Sequence, residues 1–146
     1  MALLSPPDAV QLSHVISEAT APAFVLGAVA GFVSILLTRL TAVVERIRHL
    51  NDIGDDGGAR ARLLKADLPR LRRRAHILNN ATRLALASGV CTSLLLVVAF
   101  GSAFLGLQHV YGAGTLFFLA VALLGASLFR FGQEVAAGLS EADHYR

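Results

Sequence analysis

Between Ala21 and Leu50 the chain reads APAFVLGAVAGFVSILLTRLTAVVERIRHL, and Gly27, Gly31, Ser34, Thr38, Thr41 and Glu45 recur within it at alternating steps of four and three. A helix turns once in 3.6 residues, so these six positions form one small or polar stripe along an otherwise apolar rod. Beyond the apolar run the helical spacing continues through Leu40, Val43, Ile47 and Leu50. A second and longer pattern runs Leu64, Leu68, Leu71, Ala75, Leu78, Thr82, Ala85, Gly89, Thr92, Leu96 and Ala99 without a break in the four-three alternation. That is the seam of packed helices. Asn51 to Gly58 supply the turn between the two, with Gly54, Gly57 and Gly58 as breakers and Asp55 or Asp56 as caps. Pro69 predicts that the second helix begins or bends there, because an interior proline removes a backbone hydrogen bond.

Charge spacing decides the solvent of these helices. Twenty residues without Asp, Glu, Lys or Arg separate Glu18 from Arg39, and 46 separate Arg83 from Arg130. A helix needs about 20 apolar residues to cross the hydrocarbon core, so the first run makes one span and the second is too long for one. Its break is GLQHVYGAG, Gly106 to Gly114, where polar residues, Tyr111 and three glycines mark a tight re-entry. The fold class expected is an all-α membrane protein with three transmembrane helices, at about 20–40, 84–107 and 114–131. It forms one membrane domain over 1–146, with a cytoplasmic helical hairpin at about 41–82 built from extensions of the first two spans. The second helix, from Pro69 to Leu107, would be ~58 Å long at ~1.5 Å per residue, and nearly half of it lies beyond the bilayer. The tail GQEVAAGLSEADHYR reads as the third span emerging and fraying.

Composition agrees. The 146 residues are 55% hydrophobic and 16% charged, against about 25% charged in soluble domains, and the mean hydropathy is +0.62. The N-terminal MALLSPPDAVQLSHVISEAT has no basic region, which argues against a cleaved signal peptide, so the first span is expected to be retained. The single cysteine, Cys91, lies within a span, excluding an internal disulfide and a thiolate metal cluster; it reads as a small buried residue.

Eleven of the 13 Lys and Arg residues fall from Arg39 to Arg83; the others are Arg130 and Arg146. The N-terminal segment and the 108–113 turn carry none. The positive-inside rule then places the N-terminus outside, with the 41–82 segment and the C-terminus in the cytoplasm.

Several constellations could carry chemistry. GAVAG in the stripe of the first span is a small-xxx-small element that permits close helix approach, matched by Ala85, Ser88, Gly89, Thr92 and Ser93 in the second span and by Gly125 and Ser127 in the third. Close packing, within or between protomers, is one reading. The other makes Gly27, Gly31, Ser34, Thr38, Thr41 and Glu45 the lining of an aqueous path. Three spans cannot enclose a conduit, so a path requires a cyclic homo-oligomer. The opposite face, Glu18, Pro22, Val25, Val29, Phe32 and Leu36 with Arg39 and Arg46 nearby, is a different pore lining or, preferably, a lipid-facing surface.

Arg39, Glu45, Asn79, Asn80, Arg83, Arg130, Gln133 and Glu134 share one depth at the inner boundary, as a structural ion-pair layer or an ion-selective ring. Arg130 and Glu134, four apart on one helical face, can pair. His14 and Glu18 form the outer mouth; with His109 they are weak candidates for a divalent ion or a pH sensor. His49, His76 and His144 are scattered. Arg70, Arg72, Arg73 and Arg74, with Arg60, Arg62 and Lys65 before them, read as lipid-headgroup contacts and a topogenic anchor, not a nucleic-acid patch. No nucleophile elbow, phosphate loop, HExxH or paired-carboxylate pattern occurs, so nothing argues for an enzyme, a cofactor or a bound metal.

SEATAPAFVLGAVAGFVSILLTRL, RRAHILNNATRLALASGVCTSLLLVVAFGSAFLG and LFRFGQEVAAGLSEADH together resemble an uncharacterised family of small bacterial inner-membrane proteins, the domain of unknown function numbered two thousand seven hundred and twenty-one. The resemblance spans nearly the whole chain, with RRAHILNN and the arginine-bearing end of the third span as its most specific parts. It implies a bacterial inner membrane and three helices, and no reaction or site residue. The function expected is a homo-oligomeric, cation-preferring ion-conducting pore, with the bilayer and inorganic cations as partners. The alternative is a non-conducting structural or regulatory protein that scaffolds partners or anionic lipid through its basic hairpin. A small-molecule transporter is disfavoured because no internal repeat or pair of broken helices occurs.

Overall fold

The computed structural model describes residues 9–53, 58–105 and 110–142. They form four helices: α1 (Ala9–Asp52), α2 (Gly58–Lys65), α3 (Leu68–Leu105) and α4 (Val110–Ala142). Three of them are long and apolar enough to cross a membrane, within Ala19–Asp52, Arg62–Ser102 and Gly112–Gly138. The chain is thus a multi-pass membrane protein in architecture. Its surface fits that solvent, since Phe24, Val97, Phe118 and Phe129 project outward and are at least two-thirds exposed. Such side chains are tolerable in lipid and would form an aggregation surface in water.

Helix α1 starts at Ala9, ahead of its candidate span, and passes through Pro22. A proline withholds its N–H from the ladder, a loss that neighbouring helices can offset in membrane proteins, and Pro22 is buried here. The expected turn, Asn51 to Gly58, is followed by a short separate helix, α2, opened by Gly58 at φ +62°. This left-handed conformation suits a residue without Cβ. Gly54, Asp55, Asp56 and Gly57 lie outside the described residues, so the caps expected there do too.

Helix α3 begins next to Pro69, where the sequence expects a start. The Asp67 carbonyl accepts the Leu71 N–H at 3.1 Å, and Pro69 sits in the first turn, where its missing N–H costs nothing. Of the nine-residue re-entry, Gly106 to His109 lie outside the described residues, whereas Val110 to Gly114 already belong to α4, which shortens the turn. Helix α4 continues past the predicted end of its span to Ala142.

Helix α3 is the central element: α1 and α4 each pack along it and touch each other sparsely. Its seam is the one its sequence spells out, with Leu78, Thr82, Ala85 and Thr92 buried. Leu36 of α1 meets Leu78, Ala81 and Ala85 in a core flanked by Phe32, Val33, Leu40, Val43 and Phe131. Two hydroxyls tie α3 to α4: Ser88 donates to the Ala120 carbonyl at 2.7 Å, and Ser127 donates to the Ala81 carbonyl at 2.6 Å.

One reading of α1 is reversed. Pro22, Val29 and Leu36, expected to face lipid or a pore, are buried. The large apolar residues of α1 build the protomer's own core, because their bulk fills the space that the small residues of α3 leave.

Candidate functional site

Two features stand out, one inside the protomer and one on its surface. The first is an ion-pair clamp joining all three spanning helices. Arg39 of α1 donates from Nη1 to Oε2 of Glu134 of α4 at 2.9 Å, while Arg74 of α3 donates to Oε1 from Nη2 at 2.7 Å and from Nε at 3.1 Å. The carboxylate is 1% exposed, against 46% for Arg39 and 26% for Arg74. Both oxygens of a buried carboxylate are thus satisfied by charged donors, the condition under which burying it is tolerable.

Aromatic packing holds the clamp in place. The Arg39 guanidinium lies 5.3 Å from the ring centroid of Phe131, which meets Phe32 edge-on at 5.5 Å. The attraction of a cation for a ring face adds to the pairing, so α1 and α4 are joined here by both charge and rings. Gly138 completes the cage, since a Cβ built on it would stand 3.1 Å from Arg74 Nη2.

This is not the pairing that spacing offers. Glu134 turns to Arg39 and Arg74, and Arg130 is exposed. Arg74, assigned from sequence to lipid headgroups, is half-buried in the clamp, while Arg70, Arg72 and Arg73 are exposed. Arg70 also approaches Asp67 at 3.9 Å. A signal for the clamp existed: Glu134 is the only acidic residue between Asp67 and Glu141, and a lone carboxylate close to hydrocarbon calls for cationic partners.

The second feature is the α1 stripe. Gly27, Gly31, Ser34, Thr38, Thr41 and Glu45 are all exposed, on the side of α1 away from Val29 and Leu36. A Cβ built on Gly27 or Gly31 meets nothing within 4 Å. Gly89 of α3, by contrast, approaches α1 closely: a Cβ built on it would stand 3.2 Å from Val29 Cγ1. Within the protomer, therefore, close packing uses the small residues of α3, and the stripe of α1 stays unused. Thr38 donates to the Ser34 carbonyl at 2.9 Å, so its hydroxyl is satisfied without water.

The remaining candidates are dispersed. His14 is exposed on the first turns of α1; the side chain of Glu18 and the whole of His109 lie outside the described residues. Asn79 and Asn80 are half-buried, Arg83 is exposed, and Cys91 is half-buried. Among the described residues no group of three or more His, Cys, Asp or Glu side chains is arranged to hold a metal ion.

No curated protein and no solved structure gives a significant match to the chain. A family model does match, over residues 19–143, a range that contains the α1 stripe, the whole of α3 and every member of the clamp. On that coverage the chain belongs to the family described as Protein of unknown function (DUF2721).

Proposed function

We propose that the protein is a symmetric homo-oligomer of a bacterial inner membrane, assembled with the small and polar face of α1 toward the symmetry axis, where it lines a cation-preferring ion-conducting pore. The observation that carries this reading is the exposure of all six stripe residues opposite the face that α1 buries in its own protomer. In lipid, small residues are what lets helices approach, and a closed ring is the ordinary way to repeat one interface. The outer half of α1 also borders an apolar groove of about 750 Å³, lined by Thr20, Phe24, Gly27 and Phe100 among others, into which a neighbouring helix would fit.

Ser34, Thr38 and Thr41 supply hydroxyls along the path, and Glu45 supplies an anionic end that favours cations. The excess of arginine after the first span sets the N-terminus outside and the C-terminus in the cytoplasm. The test is reconstitution of the full chain into liposomes. Cation flux is expected, together with reaction of Ser34→Cys or Thr38→Cys with water-soluble thiol reagents in a Cys91→Ser background. Absent flux with unreactive cysteines would sink the pore.

One observation favours a second reading, a non-conducting scaffold. Arg62, Arg70, Arg72 and Arg73 are exposed around α2 and the start of α3, beside Leu63 at 74% exposure. A basic surface with a projecting leucine suits an anionic membrane surface or an acidic partner. Charge reversal at Arg72 and Arg73 should weaken such association; unchanged association would remove this reading.

A further inference from the structure

We propose that the groove between α1 and α3 is a binding site for one anionic phospholipid, its acyl chain lying in the groove and its phosphate held by Arg83 and Asn79. The inference requires only that α1 and α3 span a bilayer; it does not depend on the pore.

Two walls form the groove. Leu26, Ala30 and Val33 line it from α1, and Leu86, Val90, Ser93 and Val97 from α3, around a volume of about 470 Å³. From Leu86 to Val97 helix α3 rises roughly 16 Å at ~1.5 Å per residue. One leaflet's hydrocarbon is about 15 Å thick, half of the ~30 Å core, so the groove has the length of a single acyl layer.

A polar column continues directly from it. Asn79, Arg83, Leu86 and Val90 follow steps of four, three and four, which put them on one face of α3. Arg83 is exposed and Asn79 half-buried. Among the described residues neither side chain makes a hydrogen bond or an ion pair, in contrast to Arg39 and Arg74, which share Glu134.

Depth makes that solitude informative. Arg83 lies nine positions along α3 from Arg74, roughly 13 Å nearer the middle of the span. It directly borders the long uncharged run that follows it. An arginine at such depth requires an anion or water at the end of its side chain, and the anion a leaflet offers at that level is a lipid phosphate. A planar guanidinium binds phosphate oxygens in pairs, and the Asn79 amide adds a donor one turn away.

The test is native mass spectrometry of the full chain in detergent, titrated with dioleoylphosphatidylglycerol, with dioleoylphosphatidylcholine, and with glycerol phosphate, which has no acyl chain. One phosphatidylglycerol per protomer should be retained in preference to phosphatidylcholine, with no retention of glycerol phosphate. Arg83→Gln should lower phosphatidylglycerol affinity about fivefold, the worth of one basic residue at a membrane surface, and Arg48→Gln, at an exposed arginine of α1 away from the groove, should leave it unchanged. Ala30→Phe, or Ser93→Phe if the first variant melts early by circular dichroism, should fill the groove and lower affinity for both lipids. Equal losses for Arg83→Gln and Arg48→Gln would reduce the effect to general surface charge and overturn the site. Unchanged affinity in Arg83→Gln, or glycerol phosphate bound as well as the lipid, would overturn it as well.

Discussion

Glu134 shows how a single residue organises three helices. It is 1% exposed, so its stability depends on keeping both arginines. Removing one partner of a buried pair costs about 3–5 kcal/mol; since Arg39 would remain, Arg74→Met should cost less, about 2–3 kcal/mol. Arg39→Met should cost about 1 kcal/mol, because Arg39 is 46% exposed and its pairing is partly screened by solvent. Reversible unfolding in detergent checks this order. The double variant Arg74→Met/Glu134→Met should be less damaging than the sum of the single ones by more than 1 kcal/mol, the mark of direct coupling. The sequence placed Arg39, Arg130 and Glu134 at one depth but offered the wrong arginine as partner. Spacing along α4 makes Arg130 a neighbour, whereas the rotation of α4 against α3 turns Glu134 inward and leaves Arg130 outside. Arg74 was hidden within a basic run where each residue looks equally solvated.

At the scale of elements, α3 was the legible helix and α1 the ambiguous one. Helix α3 packs on both sides, so its small and apolar seam had one meaning. It approaches α1 closely at Gly89, where Gly89→Leu should push Val29 away and destabilise the protein by about 1–3 kcal/mol, as overpacking does. The same unfolding titration measures it. The two serine bonds to α4 should be worth less. Ser88→Ala and Ser127→Ala should each cost about 0.6 kcal/mol, the usual value for a hydroxyl bond between membrane helices, and the two effects should add, the sites being well separated along the helices. Helix α1 carries two stripes that can each pack, one small and one large. Its sequence could not rank them, because in lipid neither face is excluded by solvent, and the partner α3, itself lined with small residues, takes the large one.

At the scale of the whole molecule, the small and polar stripe of α1 remains exposed. Gly31 has nothing within 4 Å of a built Cβ, so Gly31→Leu should leave protomer stability within about 0.5 kcal/mol, the usual range for surface substitutions. Assembly through the α1 stripe predicts that the same variant abolishes self-association, read by crosslinking or by mass in detergent; a variant that still assembles would place the interface elsewhere. The sequence by itself determined the solvent and the count of spans, since uncharged runs of 20 and 46 residues have no other stable use than crossing hydrocarbon. It also marked Pro69 as a start or a bend, which the structure resolves as the start of α3, and it indicated which face of α3 is buried, because proline and a continuous seam are local signals. Only the tertiary structure decided which face of α1 is core, which arginines Glu134 holds, and that Arg83 is left beside a groove. These depend on how each helix is rotated about its axis, and that rotation is set by the shape and charge of the neighbours, which helical periodicity alone does not encode.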